Sequence, residues 1–285
     1  MIDRTGLYPT IFANLQDDVH ADTAAWSLAY NKMGEILHPA VDNSEELKTT
    51  IDRVRGILIR DESETYYAWL IAALSPWVDV PCRVSHGPKA KPNAERSVEV
   101  ARDSLRADNK TINILRGASV YWKNIISVKS GHVKGDLDGT PAEIRQQIGL
   151  HLRSWNKDWR LCLIAAILQE VMQGRDFSTG MALPRLRYSQ ERTNPCVLGL
   201  AVIREYDSFL TYIIENGLTD VCDLKPLVDG GEIMKAFKAK GGPWTGKAMD
   251  MVIKWQLLHP DITDKNKALE EVSNRREELG LPPAN

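Results

Sequence analysis

The feature that most constrains this chain is the spacing of its apolar residues, which recur three and four apart in runs bracketed by helix starts and stops. That period lays one apolar stripe along a helix, whereas a half-buried strand needs strict alternation, and few stretches here alternate. From about 22 to 38, Ala25, Leu28, Ala29, Met33, Ile36 and Leu37 share a stripe, with Asp22 or Thr23 as N-cap. A second helix is predicted from about 44, with Asn43 and Glu46 at capping-box spacing and Leu47, Ile51, Val54 and Leu58 facing inward. Asp61 opens a third, running through Tyr66, Trp69, Leu70 and Ala73 until Pro76 stops it. Pro76, Pro81, Gly87, Pro88 and Pro92 make 75–93 a connecting loop. Helix is expected again over about 94–106 and 109–130, the latter with Ile112, Leu115, Trp122 and Ile126 on its stripe. Thr140-Pro-Ala-Glu143 combines a hydroxyl N-cap, Pro in the first turn and Glu at the reciprocal position. A core-facing helix over about 157–173 ends at Gly174, residues 174–199 read as irregular, and an apolar helix over about 200–216 closes at Asn216-Gly217. The expected fold is all-α, with a helical body over 1–216 and a small helical tail over 217–285.

Composition narrows the function classes. Of the 285 residues, 43% are hydrophobic and 26% charged, which describes a folded globule rather than a disordered or fibrous chain. No apolar run reaches the roughly 20 residues of a membrane span, and Met1-Ile-Asp-Arg-Thr-Gly is no signal-peptide start. Cys82, Cys162, Cys196 and Cys222 form no CxxC pair, against a disulfide framework or a structural zinc site. An intracellular protein with reduced thiols and no membrane partner is expected. The net charge of −2 conceals an asymmetry: residues 1–80 carry 6 basic and 13 acidic side chains, residues 81–160 carry 15 and 8. A basic middle beside an acidic start points to a polyanion-facing side. Chance patterning on helix exteriors produces the same statistics, so charge alone does not decide.

The motifs divide into one that retains physical content and several that do not. Gly241-Gly-Pro-Trp-Thr-Gly246-Lys247 matches a nucleotide-binding P-loop except at its last position, where Ala248 replaces the hydroxyl that holds Mg²⁺. Pro243 removes an amide, and Ala236-Phe-Lys-Ala-Lys is no buried strand. What survives is a Gly-Gly-Pro turn at a helix start, flanked by Lys238, Lys240 and Lys247, which suits a backbone phosphate. A tight turn in which Gly241 and Gly242 supply positive φ is the compatible structural reading. Asp136 and Asp138 stand two apart, as metal-binding carboxylates do, but Gly135, Gly139 and Pro141 make that segment a surface turn. Asp52 and Arg55 have a spacing able to read a base, on what is otherwise the polar face of an amphipathic helix. His20, His38, His86, His132, His151 and His259 show no i, i+4 pairing. Trp122, Trp155, Trp159, Trp244 and Trp255 read as core anchors before base-stacking platforms. No catalytic constellation is visible.

Two segments carry a resemblance. Pro226-Leu-Val-Asp-Gly230-Gly-Glu-Ile-Met-Lys235, followed by Gly241 to Lys247, Asp250 and Trp255-Gln-Leu-Leu-His-Pro260, resembles the tail of eukaryotic, fungal-type tRNA CCA-adding enzymes (tRNA nucleotidyltransferases). Ile2-Asp-Arg-Thr-Gly6-Leu-Tyr8-Pro-Thr-Ile-Phe12 resembles the motif that closes that family's neck, and Ala68 to Pro76 fits its helical body. The resemblance implies a tRNA-binding body and tail without the catalytic head, so that no cofactor is expected in this chain; Mg²⁺, CTP and ATP would belong to the head. It implies tRNA and that head as partners, inactivity of the chain alone, and a location in cytoplasm, nucleus or mitochondrion. The implied RNA contacts are Lys110, Arg116, Lys123 and Arg145 in the basic segment and Lys238, Lys240, Gly241, Gly242 and Lys247 in the tail turn. The alternative is an independent helical scaffold that binds another protein through the acidic first 80 residues.

Overall fold

The computed structural model describes residues 2, 5–39, 44–83, 94–173 and 195–280, with the side chains of 24 and 195–200 left aside. Asn43, the Pro/Gly stretch 84–93 with His86, and residues 174–194 of the irregular stretch lie outside the described residues. The described chain is all-α: α1 Tyr8–Ile11, α2 Ala24–Leu37, α3 Glu45–Leu58, α4 Glu62–Leu74, α5 Arg96–Asp103, α6 Asn109–Lys134, α7 Pro141–Ser154, α8 Trp159–Met172, α9 Pro195–Glu215, α10 Gly230–Phe237, α11 Pro243–Leu258 and α12 Lys265–Asn274. Single 3₁₀ turns occupy Ser75–Trp77, Val221–Asp223 and Arg276–Leu279. No strand occurs among the described residues.

Local chemistry sets the helix starts. Ser44, Asp61, Asp108, Thr140 and Asp229 each accept a hydrogen bond from a first-turn amide, and Thr140 with Glu143 closes a full capping box. Such caps satisfy amides that the helix itself leaves open, for about 1 kcal/mol each. Ser44, one residue beyond Asn43, is the observed cap of α3. In α4 the buried side is Tyr67, Ala68, Ile71, Ala72 and Leu74, so Tyr66 points outward at 60% exposure rather than lying on the core stripe, and in α2 Leu28 is likewise exposed while Ala29, Met33, Ile36 and Leu37 are buried.

The chain packs as two compact units. The first comprises residues 1–135 and 158–212, the second 136–157 and 213–285; residues 136–157 thus pack with the C-terminal residues. The first unit is centred on α8, buried from Trp159 through Glu170 and paired extensively with α6. Its N-terminal motif is pinned by Tyr8, whose hydroxyl donates to the Ala73 carbonyl at 2.6 Å, and by Trp77, whose indole donates to the Phe12 carbonyl at 3.0 Å. The second unit has its own core of Val228, Ile233, Phe237, Ala248, Val252, Trp255, Ala268 and Val272, formed by α10, α11 and α12. α7 packs on α11, and Gly149 allows the close approach: an added Cβ there would meet Leu257 at 3.0 Å.

Candidate nucleic-acid interface

Helix α6 is the most one-sided element of the first unit. Its 26 residues contain no Asp or Glu, while Lys110, Arg116, Lys123 and Lys134 stand exposed along it. The Asp108 side chain caps it by accepting from the Thr111 amide at 2.8 Å, and that bond holds the Asp108 carboxyl below the usual carboxylate range. Ile112, Leu115, Trp122 and Ile126 bury the opposite face, so the cations are displayed by the same periodicity that docks the helix. Lys110 lies 5.4 Å over the Tyr67 ring and Lys123 5.0 Å over Trp122, which braces both stems. The Arg116 guanidinium donates to Asn113 at 2.9 Å. None of these four cations forms an ion pair among the described residues. In the acidic N-terminal third, by contrast, Lys32, Lys48, Arg53, Arg55 and Arg60 are each paired with a carboxylate: Glu35, Glu45, Asp207, Asp52 and Glu64 respectively.

The second unit contributes a separate cationic turn. Helix α10 ends on Lys238 in the left-handed conformation (φ 50°), and the chain passes through Lys240, Gly241 and Gly242 before Pro243 opens α11. Lys238, Lys240 and Lys247 are exposed, and no acidic residue falls between 235 and 247. Positive φ is not what the two glycines provide. Gly242 is extended at φ −172°, and at Gly241 an added Cβ would stand 2.8 Å from the sulfur of the flexible Met234 side chain, which would have to shift. The Gly242 amide already donates to the Thr245 hydroxyl at 3.3 Å, which removes one donor from any phosphate cradle; the lysines remain. Trp244 braces the turn by donating to the Lys240 carbonyl at 2.9 Å. Arg145 belongs to this unit but is otherwise engaged: its guanidinium donates to the carbonyls of Asn216, at 3.0 Å, and Leu257. Lys110, Arg116 and Lys123 therefore share one helix, Lys238, Lys240 and Lys247 share one turn, and Arg145 joins neither.

Comparison with known proteins finds several similar chains. A nucleotidyltransferase of Purpureocillium lilacinum is 29% identical over 304 aligned residues, covering 99% of this chain and 49% of its own. Proteins named as mitochondrial CCA tRNA nucleotidyltransferases in Candida glabrata and Saccharomyces cerevisiae are each 28% identical, covering 74% and 69% of this chain. The chain is similar to proteins named as fungal nucleotidyltransferases, among them tRNA nucleotidyltransferases. The similarity runs through its length, including the middle, where no motif carries a resemblance of its own. The chain spans about half the length of the first of these relatives, 49%, and 35% and 32% of the other two. No protein-family model matches it, and no solved structure does.

The other sequence candidates take structural places. Asp136 and Asp138 stand in the turn between α6 and α7, with Gly135 and Gly139 at φ 72° and 125°. Asp52 pairs with Arg55 at 2.8 Å, and Arg55 also donates to the Leu37 carbonyl. Burial holds the His132 and His151 imidazoles below their ordinary range, so both are neutral at pH 7. Trp122, Trp155, Trp159 and Trp255 are core, and Trp244 half-buried against Phe237. Among the described residues no group of three or more His, Cys, Asp or Glu could hold a metal ion. Two cations escaped the sequence reading. Lys134 continues the α6 row, as its acid-free composition signals. Lys129 is fully buried between Glu170 at 2.9 Å and Glu205 at 2.5 Å. Its signal was register: it stands four residues after Ile125 and seven after Trp122, on the buried face.

Proposed function

We propose that this chain is the tRNA-holding body and tail of a CCA-adding type of nucleotidyltransferase. In this reading it grips tRNA by phosphates and shape, through the α6 cations and the tail turn. Nucleotide addition, with its Mg²⁺, CTP and ATP, is assigned to a catalytic head acting as partner, and these 285 residues alone are expected to add no nucleotide. The work is carried out inside the cell, in mitochondrion, cytoplasm or nucleus; relatives named as mitochondrial support the first.

The observation that carries the reading is the contrast in pairing. The fold supplies carboxylate partners to the basic residues of its N-terminal third and withholds them from Arg116, Lys123, Lys134, Lys238, Lys240 and Lys247. Exposed cations that form no ion pair are available to an external polyanion. Relatives whose names specify tRNA support tRNA as that polyanion.

The test is tRNA binding at 50 and 200 mM salt. With roughly six phosphate contacts, counterion release predicts a loss of affinity on the order of 10³-fold across that range. Binding that ignores salt, or no binding, overturns the proposal. Absence of binding would favour the scaffold alternative, which has a physical basis in Leu7, Leu15, Leu28, Tyr30 and Tyr66, all exposed within the acidic first 80 residues.

A further inference from the structure

The second unit contains a groove of about 630 Å³ that the phosphate contacts do not use. One wall is the segment 217–227, the other the end of α11 and the loop that follows it. Two side chains lace these walls together. Arg145 donates to the Asn216 carbonyl on one side and the Leu257 carbonyl on the other. Gln256, on α11, accepts from the Leu227 amide at 3.0 Å and donates to the Lys225 carbonyl at 3.2 Å. The groove is therefore held open at fixed width by the fold itself, as ligand pockets commonly are.

Its lining has two characters. Leu224, Leu227 and Ile262 present apolar surface, while Lys225 and His259 bring a cation and an imidazole to the rim and Asp220 and Asp223 bring acceptors, Asp223 being paired with Lys157. An apolar wall, two of whose residues, Leu227 and Ile262, also pack against the unit's core, with polar groups at its edge suits a nucleobase with its sugar-phosphate outside. Unstacked bases of single-stranded loops are what proteins read in RNA, by burying a face and bonding an edge. Position supports the same occupant. Helix α11 spans about 24 Å from the cationic turn at its start to the groove at its end, with Lys247, Asp250 and Lys254 exposed between, a net positive track. A strand that follows those lysines arrives at the groove.

We propose that the groove accepts one unstacked nucleotide, presented by an RNA loop. This inference rests on the RNA reading above. A free mononucleotide has the same chemistry, and the test separates the two sources.

The test compares the full chain with Thr263→Trp, which introduces an indole from an exposed lining position. Transfer RNA binding is measured at two salt concentrations, with melting temperatures. The expected result is about a tenfold loss of affinity with an unchanged salt slope, because a stacked base is displaced and no phosphate contact is lost. In parallel, tRNA added to the unaltered chain should slow hydrogen exchange in 217–227 and 258–263; this arm decides the matter if the variant misfolds. Equal protection by millimolar CMP or AMP without RNA would keep the site and make a mononucleotide its source. A normally melting Thr263→Trp with unchanged tRNA affinity, and no protection by RNA or nucleotide, overturns the inference. If the unaltered chain fails to bind tRNA at all, the functional reading fails, and the groove stands or falls on the mononucleotide arm.

Discussion

Replacing Lys129 with Met should be the most costly single substitution in the first unit. The Lys129 ammonium has no exposed surface and joins three helices, bonding Glu170 of α8 and Glu205 of α9 from α6, with the Tyr206 ring 4.8 Å away. Met keeps the length and apolar stem, so little cavity forms, and the loss is that of the charge. Two carboxylates then face each other with Glu170 wholly buried, and removing one partner of such a pair costs about 3–5 kcal/mol. For a unit of this size, that lowers the melting temperature by roughly 6–20 °C. Burial already pushes the Glu170 carboxyl up, with Lys129 pulling it down, so removing Lys129 raises it further. A carboxyl raised in the folded state contributes stability below its unfolded value near about 4.3 and loses it as pH rises through the folded value. Lys129→Met should accordingly melt higher at pH 5 than at pH 7, and adding Glu170→Gln and Glu205→Gln should recover much of the loss at pH 7. The assay is thermal unfolding by circular dichroism across that range. A variant melting within about 1 °C of the unaltered chain, with no pH trend, would refute the reasoning.

Other outcomes follow from the same geometry. Arg116→Ala and Lys123→Ala should each reduce the log–log salt slope of tRNA binding by about one unit and weaken every tRNA alike; an unchanged slope in both removes α6 from the interface. Lys247→Ala should act in the same way without lowering the melting temperature, whereas Gly242→Ala, whose extended backbone suits any residue but whose Cβ would press on Trp244 at 3.3 Å, should cost about 0.5–1 kcal/mol. Arg145→Ala strips two carbonyls of their donor and should destabilise by roughly 1–3 kcal/mol; its salt slope should match the parent's, and a reduced slope would return Arg145 to the phosphate-binding set. Labelled CTP and ATP with Mg²⁺ and a tRNA lacking CCA should yield no product with this chain, and template-specific incorporation would overturn the division of labour proposed above.

What could be read from the sequence was what is decided locally. Thr140 and Glu143 cap α7 because both partners lie within one turn, and Leu47, Ile51, Val54 and Leu58 are buried because their period is undisturbed. Tyr66 was misplaced because α4 is apolar on nearly all sides, so no stripe distinguishes Tyr66 from Tyr67; tertiary packing chooses. The Gly-Gly-Pro turn was located, but its reason was not. The contact between Gly241 and the Met234 sulfur depends on how α10 folds back, which no local rule contains. Arg145 and Lys129 show the same limit for charge. Each counts toward a basic segment in the sequence, and in the structure each is consumed by partners 41 or more residues away.

That limit gives unpaired cations their value as a signal. Arg145 and Lys129 hold the fold together, so their presence in the basic segment is explained by stability and says nothing of a partner. Arg116, Lys123 and Lys134 have no such explanation. An exposed lysine or arginine without a carboxylate gains no ion pair, and even an exposed pair is worth only about 0–1 kcal/mol. Along a helix of 26 residues that contains no acid, Arg116 and Lys123 make only a short-range hydrogen bond to Asn113 and a ring contact with Trp122, and no ion pair offsets their charge. Such a row becomes favourable only when counter-charge arrives from outside, at which point released counterions reward every contact. A surface of unpaired cations is, for that reason, one with much to gain from a polyanion.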